Sequence, residues 1–92
     1  MQSLLFPRGR LVATPGALEV LAQSGESIET FLARHSTKDW GDVSQEDKNE
    51  NDHSANHGFR LLSVYKLRNG TRIWVITEAD RSATTILLPQ EY

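Results

Sequence analysis

Asn69-Gly70 constrains this chain more than any other feature, because it separates two runs of β-formers, residues 61–68 and 71–78. Both residues tolerate positive φ, and such a pair between apolar runs is the strongest short signal for a tight hairpin. A two-residue turn dictates the pairing: 68 faces 71, 66 faces 73, 64 faces 75 and 62 faces 77. In that register Leu62, Val64, Ile73 and Val75 share one face, while Tyr65 pairs with Trp74 on the other, flanked by Leu61, Ile76 and Leu87. The loop Ala79-Asp80-Arg81-Ser82 leads into a third strand, residues 83–88, and pairing 78 with 83 sets Ile86 beside Val75 and Leu88 beside Ile73. Local bonding is expected in that loop, with Asp80 capping backbone amides and Arg81 pairing with Glu78 or staying solvated. The ribbon is apolar on both sides, and an exposed aromatic patch is costly for a monomer. Helices should cover one side; the other falls to Leu4, Leu5 and Phe6, to a third helix, to a partner or to a second copy.

The first half reads as helical. Residues 10–13 suit a short strand, after which Thr14 is an N-cap with Pro15 at the first helical position. This helix, with Leu18, Leu21 and Ala22 on one face, ends at Gly25. Ser27 caps a second helix whose stripe of Ile28, Phe31 and Leu32 ends in His35. Beyond a loop at 36–43, Ser44 opens a third helix that runs to about His57 and stops at Gly58. Val43 and Ala55 are the only aliphatic side chains near it, so it faces solvent, is held by capping and a few contacts, or is shaped for a partner.

The expectation is an α+β fold: two or three N-terminal helices, about residues 14–57, packed on a C-terminal three-stranded antiparallel β-meander, about 59–89, with a short N-terminal edge strand. At 92 residues, 38% hydrophobic and without cysteine, residues 1–92 form one domain around one core with no disulfide. The longest apolar runs, 73–76 and 83–88, fall short of the roughly 20 residues that span a bilayer. Residues 1–7 lack the basic start of a secretory signal, so a cytoplasmic protein without a membrane partner is expected.

Charge is segregated along the chain. Residues 39–57 carry Asp39, Asp42, Glu46, Asp47, Glu50 and Asp52 against Lys48 alone, a net of -5 in a chain of net charge -2. No basic stripe suits general nucleic-acid binding. A small cluster, Lys66, Arg68 and Arg72 with Tyr65, is the candidate for a nucleic-acid-binding or ribonuclease-like toxin module whose binding would fall steeply with salt.

His53 and His57 stand four apart on one helical face, the spacing of zinc enzymes, but Ser54 occupies the position where those sites carry Glu. The pair is a weak metal candidate beside plain surface histidines at the negative end of a helix dipole. Asp39, Asp42, Asp47 and Asp52 are the residue type for a magnesium-dependent hydrolase, but their spacing matches no calcium loop and turn and cap roles also account for them. With no cysteine and no serine in a nucleophile elbow, no catalytic residue is assigned and no cofactor is expected. Trp40 is either the loop's anchor into the core or a protein-binding anchor ringed by Asp39, Asp42 and Asp47.

Three strings carry a resemblance: Phe31-Leu32-Ala33-Arg34-His35 leading to Asp39-Trp40-Gly41-Asp42; Arg60-Leu61-Leu62-Ser63-Val64-Tyr65; and Trp74-Val75-Ile76-Thr77-Glu78-Ala79-Asp80-Arg81-Ser82-Ala83-Thr84-Thr85-Ile86-Leu87-Leu88-Pro89. Over nearly the whole chain after Arg8 they resemble a family of small bacterial proteins of plasmids and other mobile elements, labelled plasmid-related proteins or restriction-enzyme modification subunits. That family has no established activity, so no catalytic residue carries over. The modification label conflicts with physics: a base-flipping methyltransferase needs a large doubly wound sheet for its methyl donor and an Asn-Pro-Pro or Asp-Pro-Pro motif, and neither occurs here. The resemblance implies an accessory protein of a mobile element. Joined to the residue pattern, it gives a non-enzymatic protein-binding role, such as an anti-restriction or anti-CRISPR inhibitor. Docking on a host complex would use Trp40, Asp39, Asp42, Asp47, Tyr65 and Trp74, with acid competing for a surface that holds phosphates. A homo-oligomer, the basic hairpin module and a metal-dependent hydrolase are the alternatives.

Overall fold

A computed structural model describes residues 6–92. Along the chain run β1 (Arg10–Ala13), α1 (Pro15–Ser24), α2 (Ile28–Ser36), α3 (Gln45–His57), β2 (Leu61–Lys66), β3 (Arg72–Thr77), β4 (Ala83–Leu87) and a 3-10 turn at Pro89–Glu91. All three expected N-caps form: the hydroxyls of Thr14, Ser27 and Ser44 accept from the amides of Ala17, Glu29 and Asp47. Each relieves one of the unpaired donors at a helix start, worth typically about 1 kcal/mol. Gly25 and Gly58 end α1 and α3 as expected.

The fold is α+β, and the expected edge strand joins the three-stranded meander to make a four-stranded mixed sheet in the order β1-β4-β3-β2. The meander β2-β3-β4 is antiparallel and β1 adds to its β4 edge in parallel, Arg10 opposite Ala83 and Ala13 opposite Ile86. Between β3 and β4 the register is the expected one, with Val75 opposite Ile86. Between β2 and β3 it is displaced by one residue: Val64 faces Trp74, Tyr65 faces Ile73 and Ser63 faces Val75. The cause is the turn. Leu67 and Thr71 close the hairpin, with the Leu67 amide donating to the Thr71 carbonyl at 2.8 Å and the Gly70 amide to the Leu67 carbonyl at 2.9 Å. The loop is therefore three residues, Arg68, Asn69 and Gly70, with Gly70 at φ 89° in the left-handed region that follows a type I turn.

Because side chains alternate across a strand, this single step turns all of β2 over. Leu61, Ser63 and Tyr65 join Ile73, Val75, Thr77, Thr84 and Ile86 on the face beneath the helices, where all are buried. Leu62 and Val64 move to the opposite face with Trp74, Ile76 and Leu87. Tyr65 and Trp74 thus lie on opposite sides of the sheet, not side by side.

Helix α1 lies against β4, α2 against β3 and α3 against β2. Ala17, Leu21, Phe31 and Leu32 pack on Tyr65, Ile73, Val75 and Ile86 in the larger core. Phe6, Trp40 and Leu61 make a second, smaller one, with Val43 and Ala55 against it. Phe6 is thereby committed to the helical side, while Leu4 and Leu5 lie outside the described residues.

The outer edge of β2 is closed without another strand. Asn51 of α3 gives its side-chain N–H to the Leu62 carbonyl at 2.7 Å and accepts the Leu62 amide at 3.2 Å, as a neighbouring backbone would. Next along the edge, the Val64 amide donates to the Trp40 carbonyl and the Asp42 amide to the Val64 carbonyl. Gly41, at φ 75°, passes so close to the Val64 carbonyl that a β-carbon there would collide with it. Asn51→Ala is expected to lower stability by about 2 kcal/mol, since it strands both backbone groups of Leu62. Urea denaturation of the two proteins checks this.

Candidate functional site

The open side of the sheet carries a mostly apolar depression. Leu62, Trp74 and Ile76 form the floor of a depression of about 310 Å³, bounded by Arg60 and Tyr92. Tyr92 is 67% exposed, leans on Trp74 with ring centroids 5.5 Å apart, and has the Arg60 guanidinium over its face at 4.9 Å. Arg60 also donates to the Tyr92 hydroxyl and lies 4.0 Å from the Glu78 carboxylate. A second depression of about 200 Å³ adjoins it, lined by Val43, Asp47, Glu50, Asn51 and Leu62. Leu62 belongs to both, so the apolar floor runs on to the acidic flank of α3.

Of the residues singled out from sequence, only Trp74 and Asp47 border this surface. Trp40 is 3% exposed and stacks on Phe6 at 6.1 Å, while its indole N–H donates to Asp52 at 2.9 Å. It is the loop's anchor, with no ring left for a partner. Tyr65 is buried, its hydroxyl donating to the Asp39 carbonyl at 2.6 Å, and burial pushes its pKa above the usual tyrosine range. Asp39 takes a two-point hold from Arg34, at 2.7 and 3.4 Å, which keeps its carboxyl below the usual carboxylate range. Asp42 pairs with Arg72 at 3.3 Å.

The cationic hairpin is likewise partly neutralised, Arg68 by Glu26 at 3.7 Å and Arg72 by Asp42, which leaves Lys66 without an ion pair among the described residues. His53 and His57 stack with ring centroids 4.0 Å apart and planes 13° from parallel. Nitrogen lone pairs lie in the ring planes, so parallel rings do not converge on one ion. Among the described residues no group of three His, Cys, Asp or Glu side chains is placed to hold a metal. The loop after β3 also departs from expectation. Asp80 does accept the Ser82 amide, but Arg81, at φ 61°, gives its guanidinium to the carbonyls of Phe59 at 2.7 Å and Ser54 at 2.8 Å, tying the turn to the end of α3.

The chain matches no family model, no curated protein and no solved structure. No helix among the described residues is long and apolar enough to cross a membrane.

The residue that sequence reasoning left as the end of a stripe, His35, is wholly buried between the two cores. Phe6 and Trp40 meet its ring edge-on at 5.4 and 5.5 Å. Its nitrogens lie 2.6 Å from the Ser63 hydroxyl and 2.8 Å from that of Thr77, which reaches Thr84 at 2.7 Å. Thr84 in turn donates to the Arg8 carbonyl at 2.8 Å. That last acceptor sets the direction of the chain. Thr84 gives its hydrogen to Arg8, so it receives one from Thr77; Thr77 then receives from His35 Nε2–H, and Nδ1 accepts from Ser63.

Of the two neutral tautomers only the one with the proton on Nε2 fits. Burial first, then the charges of Arg8 and Arg81, lower the His35 pKa to about 3. Between that value and its unfolded value of about 6.5, the unfolded chain binds a proton the folded one does not, so stability falls as pH falls. A loss of about 2 kcal/mol is expected from pH 7.5 to 5, above the carboxylate range. Urea midpoints across that interval, with the His35→Leu variant losing the slope, and ring-nitrogen NMR showing Nε2–H, are the checks.

Proposed function

We propose that this protein is a non-enzymatic docking protein that acts by seating the open face of its sheet on another protein. The observation that supports it is the apolar depression over Leu62, Trp74 and Ile76, where Leu62 and Trp74 are left partly uncovered on the side away from α1 and α2. A tryptophan in a shallow apolar depression with arginine and tyrosine at its rim has the composition of an interface centre. The family resemblance adds the setting: an accessory of a mobile element, with inhibition of a restriction or CRISPR complex as the form such docking takes. Of the residues first assigned to the partner, Trp74 and Asp47 stay in this reading, and Leu62, Ile76, Arg60 and Tyr92 join them. Neutralisation of Arg68 and Arg72 by acidic neighbours weakens the nucleic-acid alternative.

Photo-cross-linking tests the reading. With p-benzoylphenylalanine at position 74, a bacterial host extract should yield a discrete adduct that is absent when the same group replaces Leu18, exposed on α1. The partner, identified by mass and purified, should bind about thirtyfold more weakly to Trp74→Ala. Equal labelling from both positions, or unchanged affinity in the variant, rejects the reading.

A further inference from the structure

We infer that the occupant of this face is a cationic amphipathic α-helix, its apolar stripe on Leu62, Trp74 and Ile76 and its lysines or arginines along the flank of α3. The inference rests on the docking reading above and names the partner's chemistry. Three observations carry it.

The first is charge. Asp47 and Glu50 stand one helical turn apart on α3 beside Leu62, and neither has an ion pair among the described residues. Among the described residues the one cation lining the groove, Arg60, is already engaged by Tyr92 and Glu78. The unmatched charge of the groove is negative, and a partner supplies the opposite sign.

The second is the state of the backbone. An extended peptide binds a sheet by adding hydrogen bonds at a free edge. Here the adjacent edge is β2, whose Leu62 is paired by Asn51 and whose Val64 is paired by Trp40 and Asp42. Only side chains are on offer. A helix satisfies its own backbone and presents apolar side chains at helical spacing, which is what such a floor can receive.

The third concerns the chain's own helices. α1 contains no lysine or arginine, Arg34 of α2 is held by Asp39, and α3 is the acidic wall itself. Among the described residues a second copy has no cationic helix to insert.

The test uses two synthetic helical peptides of about 14 residues, long enough to follow a six-residue strand. They share one leucine stripe and carry lysine in one and glutamate in the other at every polar position. Titrated into the full chain at physiological salt, the leucine–lysine peptide should bind at least about tenfold more tightly, shifting the NMR signals of Leu62, Trp74 and Ile76. Asp47→Asn with Glu50→Gln should reduce that affinity about fivefold and flatten its salt dependence, with the folded spectrum retained. Equal or tighter binding of the glutamate peptide, shifts centred on the hairpin turn or β1, or no binding by either peptide overturns the inference. So does sedimentation showing a dimer that Trp74→Ala dissociates, which would make a second copy the occupant. A position-74 adduct with a partner that uses an acidic or non-helical segment removes this inference and leaves the docking reading standing.

Discussion

The register of β2 against β3 is the constraint on which the rest of the molecule depends. A three-residue loop at Arg68, Asn69 and Gly70 lets Leu67 close the hairpin and sink into the core at 2% exposure. The same step sends Tyr65 beneath α2, where it packs on Phe31 at 5.4 Å and braces the Asp39 loop. It also delivers Ser63 to His35, and it turns Leu62 outward to meet Trp74 and Ile76. A two-residue loop would have reversed every one of those assignments.

Much of the remaining structure is held by directed polar contacts rather than by apolar area. α3 has almost no apolar stripe, yet it is fastened at several points: Asn51 to the backbone of Leu62, Asp52 to the Trp40 indole, and the Ser54 carbonyl to Arg81. The His35 chain does the same deeper in, joining α2 to β2, β3 and β4 across the seam between the cores. No buried side-chain nitrogen or oxygen among the described residues is left without a partner. Buried polar groups that are all satisfied specify one arrangement, because any other would leave some of them unpaired in a low-dielectric interior. Helix α3 is thus held as a wall beside the open face, with its Asp47 and Glu50 in no ion pair among the described residues.

Signals that act over a few residues were legible in the sequence. Thr14, Ser27 and Ser44 cap the helices they precede, and Gly25 and Gly58 end theirs, because capping is decided by neighbouring backbone groups. The β3–β4 register was legible for a similar reason, fixed by its short loop. Asn-Gly was ambiguous, since it serves two-residue and three-residue loops alike, and burial of Leu67 and Tyr65 decides between them. Pairing of β1 with β4 joins residues more than seventy positions apart and has no local mark. Nor has the meeting of Arg60 with Tyr92, two residues of the candidate face. Trp74 was found because a large ring in an alternating strand is conspicuous; Leu62 was assigned to the wrong side with the register.

The two margins of the sheet are treated unequally. Asn51 and the Trp40–Asp42 segment seal the β2 margin at Leu62 and Val64, whereas among the described residues β1 has no strand beyond it and shows Leu11 and Val12 to solvent. What β1 itself screens is Ala83-Thr84-Thr85-Ile86-Leu87, an uncharged run rich in β-branched residues and free of proline. Short segments of that kind, once uncovered, stack on copies of themselves into dry, interdigitated fibrils. Four residues near the start of the described chain thus occupy the backbone groups of β4 that would otherwise form a bare strand edge, and truncation through Ala13 is expected to uncover that edge.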